Sequence, residues 1–304
     1  MSSPTSAPGH GRGVLFTVAA FICWGLFPLY WKPLHDVPAL QILCHRIVWS
    51  ALFVALILLA RRQWAWLGTA LREPRKLAIF GLSSALLSLN WLIYIWAVNA
   101  GHVVEASLGY FINPLVNVLL GRLFLSERLS RPQSLAVALA GAGVAWLTLS
   151  AGALPWIALS LAATFGAYGL LRKKAPLASL EGLALETFLM APLALAALLW
   201  FEWQGQGAFG RVAASQNILL IGAGVVTAVP LLMFAAGARR LKLATVGLIQ
   251  YIGPTLQLAI GVLLYNEAFG SDRAIGFALI WCALILYSAV GLRQLWQERR
   301  ALAA

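Results

Sequence analysis

Tyr110–Glu127 reads YFINPLVNVLLGRLFLSE, and Gln250–Glu267 reads QYIGPTLQLAIGVLLYNE. The two stretches lie 140 residues apart, and at that offset Ile112 meets Ile252, Pro114 meets Pro254, Gly121 meets Gly261, Leu123 meets Leu263 and Glu127 meets Glu267. A weaker echo, at an offset of 141, sets Trp24-Gly25 against Phe165-Gly166. Two such stretches in a chain of 304 residues divide it into two related halves.

Composition places both halves in lipid. The chain is 61% hydrophobic and 11% charged, with a mean hydropathy of +0.84. A soluble domain carries about 25% charged residues, so a water-facing surface cannot be covered here. Ten apolar segments are each close to the ~20 residues that span a bilayer. Their limits are Gly13–Trp31, Pro38–Ala60, Leu77–Asn99, Val104–Leu125, Gln133–Leu149, Leu154–Leu171, Gly182–Phe201, Gln216–Ala238, Leu243–Tyr265 and Ala274–Leu292. The fold class expected is all-α integral membrane, with ten transmembrane helices as two inverted five-helix repeats. Five is odd, so the second half enters upside down, an arrangement typical of transporters with a binding site near the midplane. The expected organisation is a short tail over residues 1–12, repeats over 13–150 and 151–292, and a tail over 293–304.

The net charge of +12 follows the same topology. With both termini cytoplasmic, seventeen of the 22 Lys and Arg fall inside and only Lys32, Arg211 and Arg273 outside, while Arg46 and Arg122 lie within spans. This is the positive-inside bias. It accounts for the basic balance without nucleic acid, and Arg172-Lys-Lys174 reads as part of it.

Enzyme chemistry finds no carrier. There is no GxSxG, HExxH or Walker-type stretch, and the aspartates, Asp36 and Asp272, fall in loops. Cys23, Cys44 and Cys282 lie in apolar runs without metal-ligand spacing. No catalytic residue, metal or cofactor is expected. The partners expected are a small-molecule substrate and the lipid bilayer. A non-transporting membrane scaffold or assembly subunit is the alternative.

The segment Glu105-Ala-Ser-Leu-Gly-Tyr-Phe-Ile-Asn-Pro-Leu115, with His45-Arg46, Asn90-Trp91, Trp96-Ala-Val-Asn99 and Gln250-Tyr-Ile-Gly-Pro-Thr255, resembles the RarD-like permeases. These are a branch of the EamA-type families in the drug/metabolite transporter superfamily. The resemblance runs from about Gly13 to Leu292. It implies small-molecule transport by alternating access in the bacterial cytoplasmic (inner) membrane.

Polar residues inside apolar spans mark the candidate site, because an intramembrane charge costs about 2.5–3.5 kcal/mol on insertion scales. Arg46 and Glu186 are such charges, and they are 140 residues apart. Arg46 is expected to hold an anionic group or to tune Glu186, the proton-coupling candidate. Tyr110, Asn113 and Asn117 share a face of the fourth span, and Gln250, Tyr251 and Gln257 answer on the ninth. Asn90, Trp91 and Tyr94 on the third span, with Tyr168 on the sixth, complete the expected substrate-binding set; Trp24 is a further aromatic candidate. Trp31, Trp64 and Trp66 read as interface markers. Glu105 reads as an acid at its own helix start and Glu127 and Glu267 as helix-end contacts. Gly141-Ala-Gly143 and Gly222-Ala-Gly224 read as sites of close helix approach.

Overall fold

The computed structural model describes residues 10–124, 130–174, 177, 179–238, 240–241, 246 and 249–303. Among these, every regular element is helical: α1 (His10–Gly25), α2 (Phe27–Trp31), α3 (Ala39–Arg61), α4 (Ala65–Leu71), α5 (Pro74–Asn99), α6 (Val103–Phe124), α7 (Arg131–Ala151), α8 (Trp156–Lys174), α9 (Ser179–Trp203), α10 (Ala214–Ala238), α11 (Ile252–Ala259) and α12 (Ser271–Ala303). Seven helices are long and apolar enough to cross a membrane, and an eighth span exists if the bent pair α1–α2 counts as one. Two shorter apolar helices, Trp156–Arg172 and Ile252–Leu264, fill the remaining expected positions. Glu127 and the basic residues Arg128, Arg239 and Lys242 lie outside the described residues.

Local chemistry sets the helix ends. Ser130 and Gln133 form a capping box at the start of α7. Pro74 opens α5 at a position that needs no N–H donor. Gly101 takes φ +80° and folds the chain back, with His102 N–H donating to the Ala97 carbonyl. The first span bends by 44° between Gly25 and Phe27, where Pro28 removes a backbone donor. The ninth ends in a π-helical turn over Ile260–Leu264. Helix α12 continues through residues 293–303, the stretch expected to be a tail.

The helices pack in a regular set of pairs. Helix α7 lies on α12, α6 on α8, α1 on α11, α3 on α10, α5 on α9, α1 on α10, and α5 on α8. Helices α3 and α9 meet directly, as do α6 and α11. Outward faces are apolar, as with Leu149 (82% exposed) and Leu263 (78%), the composition a lipid-facing surface requires.

Close approach depends on particular glycines. A Cβ at Gly109 would sit 2.8 Å from the Ala158 carbonyl, and one at Gly143 would sit 3.0 Å from that of Gly276. Gly224 faces the Trp49 backbone, and Gly222 leaves room for the Tyr30 hydroxyl. Gly141, in contrast, has nothing within 4 Å. Gly109→Ala and Gly143→Ala should each cost about 1–3 kcal/mol through overpacking. Gly141→Ala should be neutral or slightly stabilising, since Ala is the better helix former. Thermal unfolding in detergent compares the three directly.

Candidate functional site

Helix α5 is the ruler along which the site is laid out. Near its start, Phe80 lies under the Arg172 guanidinium, 5.3 Å from ring centroid to Cζ, and the Ser83 hydroxyl donates to Glu186 Oε1 at 2.6 Å. Near its middle, Trp91 stacks on Arg46, with Cζ 3.9 Å from the ring centroid. At its end, the carbonyls of Val98 and Asn99 accept from Lys32 Nζ at 3.2 and 3.4 Å. Phe80 and Trp91 are eleven residues apart, so the two guanidinium sites stand about 16 Å apart along the axis.

Between them lies a cavity of about 560 Å³. Its polar lining includes Arg46, Asn90, Asn113, Gln250 and Gln257. Its aromatic wall has two parts. Tyr94, Tyr110, Phe165 and Tyr168 form a chain of ring contacts 5.7–6.2 Å apart from α5 through α6 to α8. Phe21, Trp24 and Phe234 cluster at 5.0–5.7 Å on α1 and α10.

Arg46 is 2% exposed and meets aromatic faces on several sides: besides Trp91, Trp31 at 5.2 Å and Phe27 at 5.6 Å. Its Nε and Nη1 find no hydrogen-bond partner among the described residues. Trp31 is therefore a buried partner of Arg46, not the interface marker its span-end position suggested. Trp64 stacks on Phe188 at 6.0 Å.

Asn90 is held on every side. Its Nδ2 donates to the Leu161 carbonyl and Thr164 Oγ1, each at 2.9 Å, and its Oδ1 accepts from Tyr110 at 3.3 Å. Gln257 Nε2 donates to the Trp24 carbonyl at 3.0 Å. That carbonyl is free because Pro28, four residues on, has no N–H to give it. Gln257 Oε1, Asn113 Oδ1 and the Tyr94 hydroxyl remain buried and unpartnered.

Nine of the eleven residues expected to bind substrate line this cavity: Arg46, Asn90, Trp91, Tyr94, Tyr110, Asn113, Tyr168, Gln250 and Gln257. Asn117 instead faces Gly166 and Gly169 at the contact with α8. Tyr251 packs against a buried cluster that includes Phe111, Phe277 and Ile280, and is hydrogen-bonded to Ser288 and Gln250. Glu186 lies behind the wall and holds two lining residues, Arg172 (Nε to Oε1, 3.8 Å) and Tyr168 (3.5 Å). Arg172 therefore does more than set topology. It reaches Glu186 across Gly182, where any Cβ would collide with the guanidinium. Among the described residues, no group of three His, Cys, Asp or Glu gathers as a metal site.

The end of the cavity beside α2 is sealed. Tyr265 donates to the Pro28 carbonyl at 3.1 Å and lies 5.4 Å below Lys32 Nζ. Tyr30 donates to the Leu219 carbonyl at 2.6 Å. The Glu267 carboxylate accepts from the N–H groups of Val103 and Val104 at 2.7 and 2.8 Å, capping α6 from the loop that precedes α12. Glu105, in the first turn of α6 as its position suggested, also serves α8, accepting from the Ile157 N–H at 3.1 Å.

Comparison with known proteins bears on this architecture. The EamA-like transporter family matches residues 11–149. An uncharacterized transporter YojE of Bacillus subtilis is 51% identical over 91% of this chain and 93% of its own. Protein RarD of Escherichia coli is 46% identical over 91% and 93%, and that of Streptomyces exfoliatus 45% identical over 96% and 93%. The chain belongs to the RarD-like branch of the EamA transporters. A crystal structure of a protein 20% identical shares this fold, with a TM-score of 0.59 over 92% of this chain and 98% of that one. In this RarD-like chain, as in its bacterial relatives, the many apolar helices make a multi-pass membrane protein.

The Arg172–Glu186 pair gives a measurable expectation. Removing one partner of a buried pair leaves an uncompensated charge and costs more than removing both. Arg172→Met and Glu186→Gln should each lower the unfolding temperature, and the double variant should lose less than the sum. Strict additivity in that cycle would mean that the two groups do not interact.

Proposed function

We propose that this chain is a secondary transporter of a small organic molecule, working by alternating access in the bacterial inner membrane. The reading takes ten spans with both termini cytoplasmic, in repeats over residues 13–150 and 151–292. Its main support is the packing. Exchanging α1 with α8, α3 with α9, α5 with α10, α6 with α11 and α7 with α12 turns every helix pair named above into itself or into another named pair. Two units related in this way can rock about the cavity between them, closing one end as the other opens. Under the orientation given by the charge distribution, the sealed end beside Lys32 faces outward, and the end beside Arg172 faces the cytoplasm.

Arg46, Asn90, Trp91, Tyr94, Tyr110, Asn113, Tyr168, Gln250 and Gln257 form the substrate site in this reading, with Asn117 and Tyr251 supporting α6 and α11 beside it. Glu186 is the candidate for proton coupling. It contacts two cavity-lining side chains, so a change in its protonation acts on the wall that substrate touches. No cofactor takes part.

Proteoliposomes loaded with a metabolite mixture test the central claim. Mass spectrometry should find at least one compound lost faster than from protein-free vesicles; equal retention throughout would favour the scaffold reading. Crosslinking Lys32→Cys to Asn99→Cys in a cysteine-free background should stop that flux, and cleaving the crosslink should restore it. With a substrate in hand, Glu186→Gln should abolish flux driven by a pH gradient, and unchanged pH-driven flux would remove Glu186 from the coupling role.

A further inference from the structure

We infer that the cavity takes an organic monocarboxylate with a flat apolar body and at least one hydrogen-bond donor. The inference rests on the transport reading for its biological setting, but its argument comes from the lining of the cavity.

The first observation is an uncompensated cation. Arg46 lines the cavity, is 2% exposed, and has Nε and Nη1 without a partner. Among the described residues, no carboxylate appears in the lining. The nearest by sequence logic, Glu186, is held at Ser83, eight residues and therefore about 12 Å along α5 from Trp91. It is also engaged by Arg172. Arg172, the second cation of the lining, is paired with Glu186 at 3.8 Å, which leaves the Arg46 charge, next to the sealed end, uncompensated. A single negative charge on a ligand matches it; a cationic ligand meets repulsion, and a neutral one can accept a hydrogen bond from the guanidinium but leaves its charge uncompensated. Stacking on Trp91 occupies a face of the guanidinium and leaves its edge N–H groups for an acceptor. The planar donors of arginine suit a carboxylate.

The second observation is a set of acceptors. Gln257 Oε1 and Asn113 Oδ1 are buried and unpartnered in the same wall. The direction of the Gln257 amide follows from its chemistry, since only its nitrogen can donate to the Trp24 carbonyl. An N–H or O–H of the ligand is what these oxygens lack. The third observation is the wall itself: the two aromatic clusters facing the space suit a ring.

Four probes sharing one ring separate these claims: 3-phenyllactate, 3-phenylpropionate, 3-phenylpropanol and 3-phenylpropylamine, each added at millimolar concentration to the purified full chain in detergent. A ligand that binds the folded state raises the unfolding temperature. The expected order is 3-phenyllactate above 3-phenylpropionate, with the alcohol and the amine giving no shift. Arg46→Gln should weaken the acids at least tenfold, and Arg46→Lys should keep part of their effect. If Arg46→Gln does not fold, the wild-type order and Arg46→Lys still decide. Stabilisation by the amine or the alcohol equal to that of the acids overturns the inference. So does full retention of the acid effect in Arg46→Gln, or no shift with any probe. An acid that binds through Arg46 but is not moved in proteoliposomes would sink the transport reading and leave the ligand class standing. Flux of a neutral or cationic compound alone would do the reverse.

Discussion

The guanidinium of Arg46 stacked on the Trp91 indole, 3.9 Å from Cζ to centroid, is the contact on which the site depends. Placing a charge in an apolar span is costly, and proteins usually meet that cost with an opposite charge. Here aromatic faces meet it. A desolvated cation–π contact is worth up to about 2 kcal/mol, and Trp91, Trp31 and Phe27 all approach the same cation. Together they are comparable with the insertion cost of about 2.5–3.5 kcal/mol. Ring faces stabilise a cation without neutralising it. The charge therefore persists in the cavity, whereas a carboxylate partner would have cancelled it. Trp31 belongs to α2 and Trp91 to α5, so the same contact also ties the bent first span to the helix that measures out the site.

The proline in the first span has a matching consequence. Pro28 denies the Trp24 carbonyl its helical donor, and in an apolar interior that acceptor must be satisfied by other means. Gln257, from the other half of the chain, supplies the bond. Once its nitrogen is committed there, its oxygen is left buried without a hydrogen bond among the described residues. A kink in one helix thus aims a side chain on another. Glu267, in the loop before α12, and Glu105, on α6, work on the same principle at helix starts, where free N–H groups donate to a carboxylate from another part of the chain. Among the described residues, Arg46, Tyr94, Asn113, Arg172 and Gln257 of the lining each keep a buried polar atom without a hydrogen bond.

Much of this was legible in the sequence, because intramembrane polar residues are few and expensive. Arg46, Asn90, Asn113 and Gln257 announced themselves by type alone. What failed was direction. Helix α9 is apolar around almost its whole circumference, so periodicity does not say which face of such a span meets which neighbour. Asn117 sits one turn from Asn113 yet faces a helix contact, and Tyr251, though hydrogen-bonded to Gln250, packs into the core instead of lining the cavity. Trp31 looked interfacial because it ends a span, but the bend after Gly25 folds it inward. Arg172 was hidden in a basic run that the positive-inside rule already explained. Its only local signal was Gly182, a small residue ten positions on that leaves space for the guanidinium.

The repeat makes the pairing of charges informative. Arg46 and Glu186 stand 140 residues apart, the offset of the sequence repeat, on α3 and α9, which pack together directly. A salt bridge between them would have been the simplest way to bury both. Instead Ser83, Tyr168 and Arg172 hold Glu186. That arrangement needs Gly182 to make room and a second arginine to reach inward from the helix end, two features that a direct Arg46–Glu186 bond would not require. Their effect is to keep the Glu186 carboxylate away from Arg46. An internal counter-ion would have to be displaced before any anion could bind, so its absence removes that competition. The two positions therefore differ in kind: one carries a satisfied carboxylate in the wall, the other an open cation in the cavity.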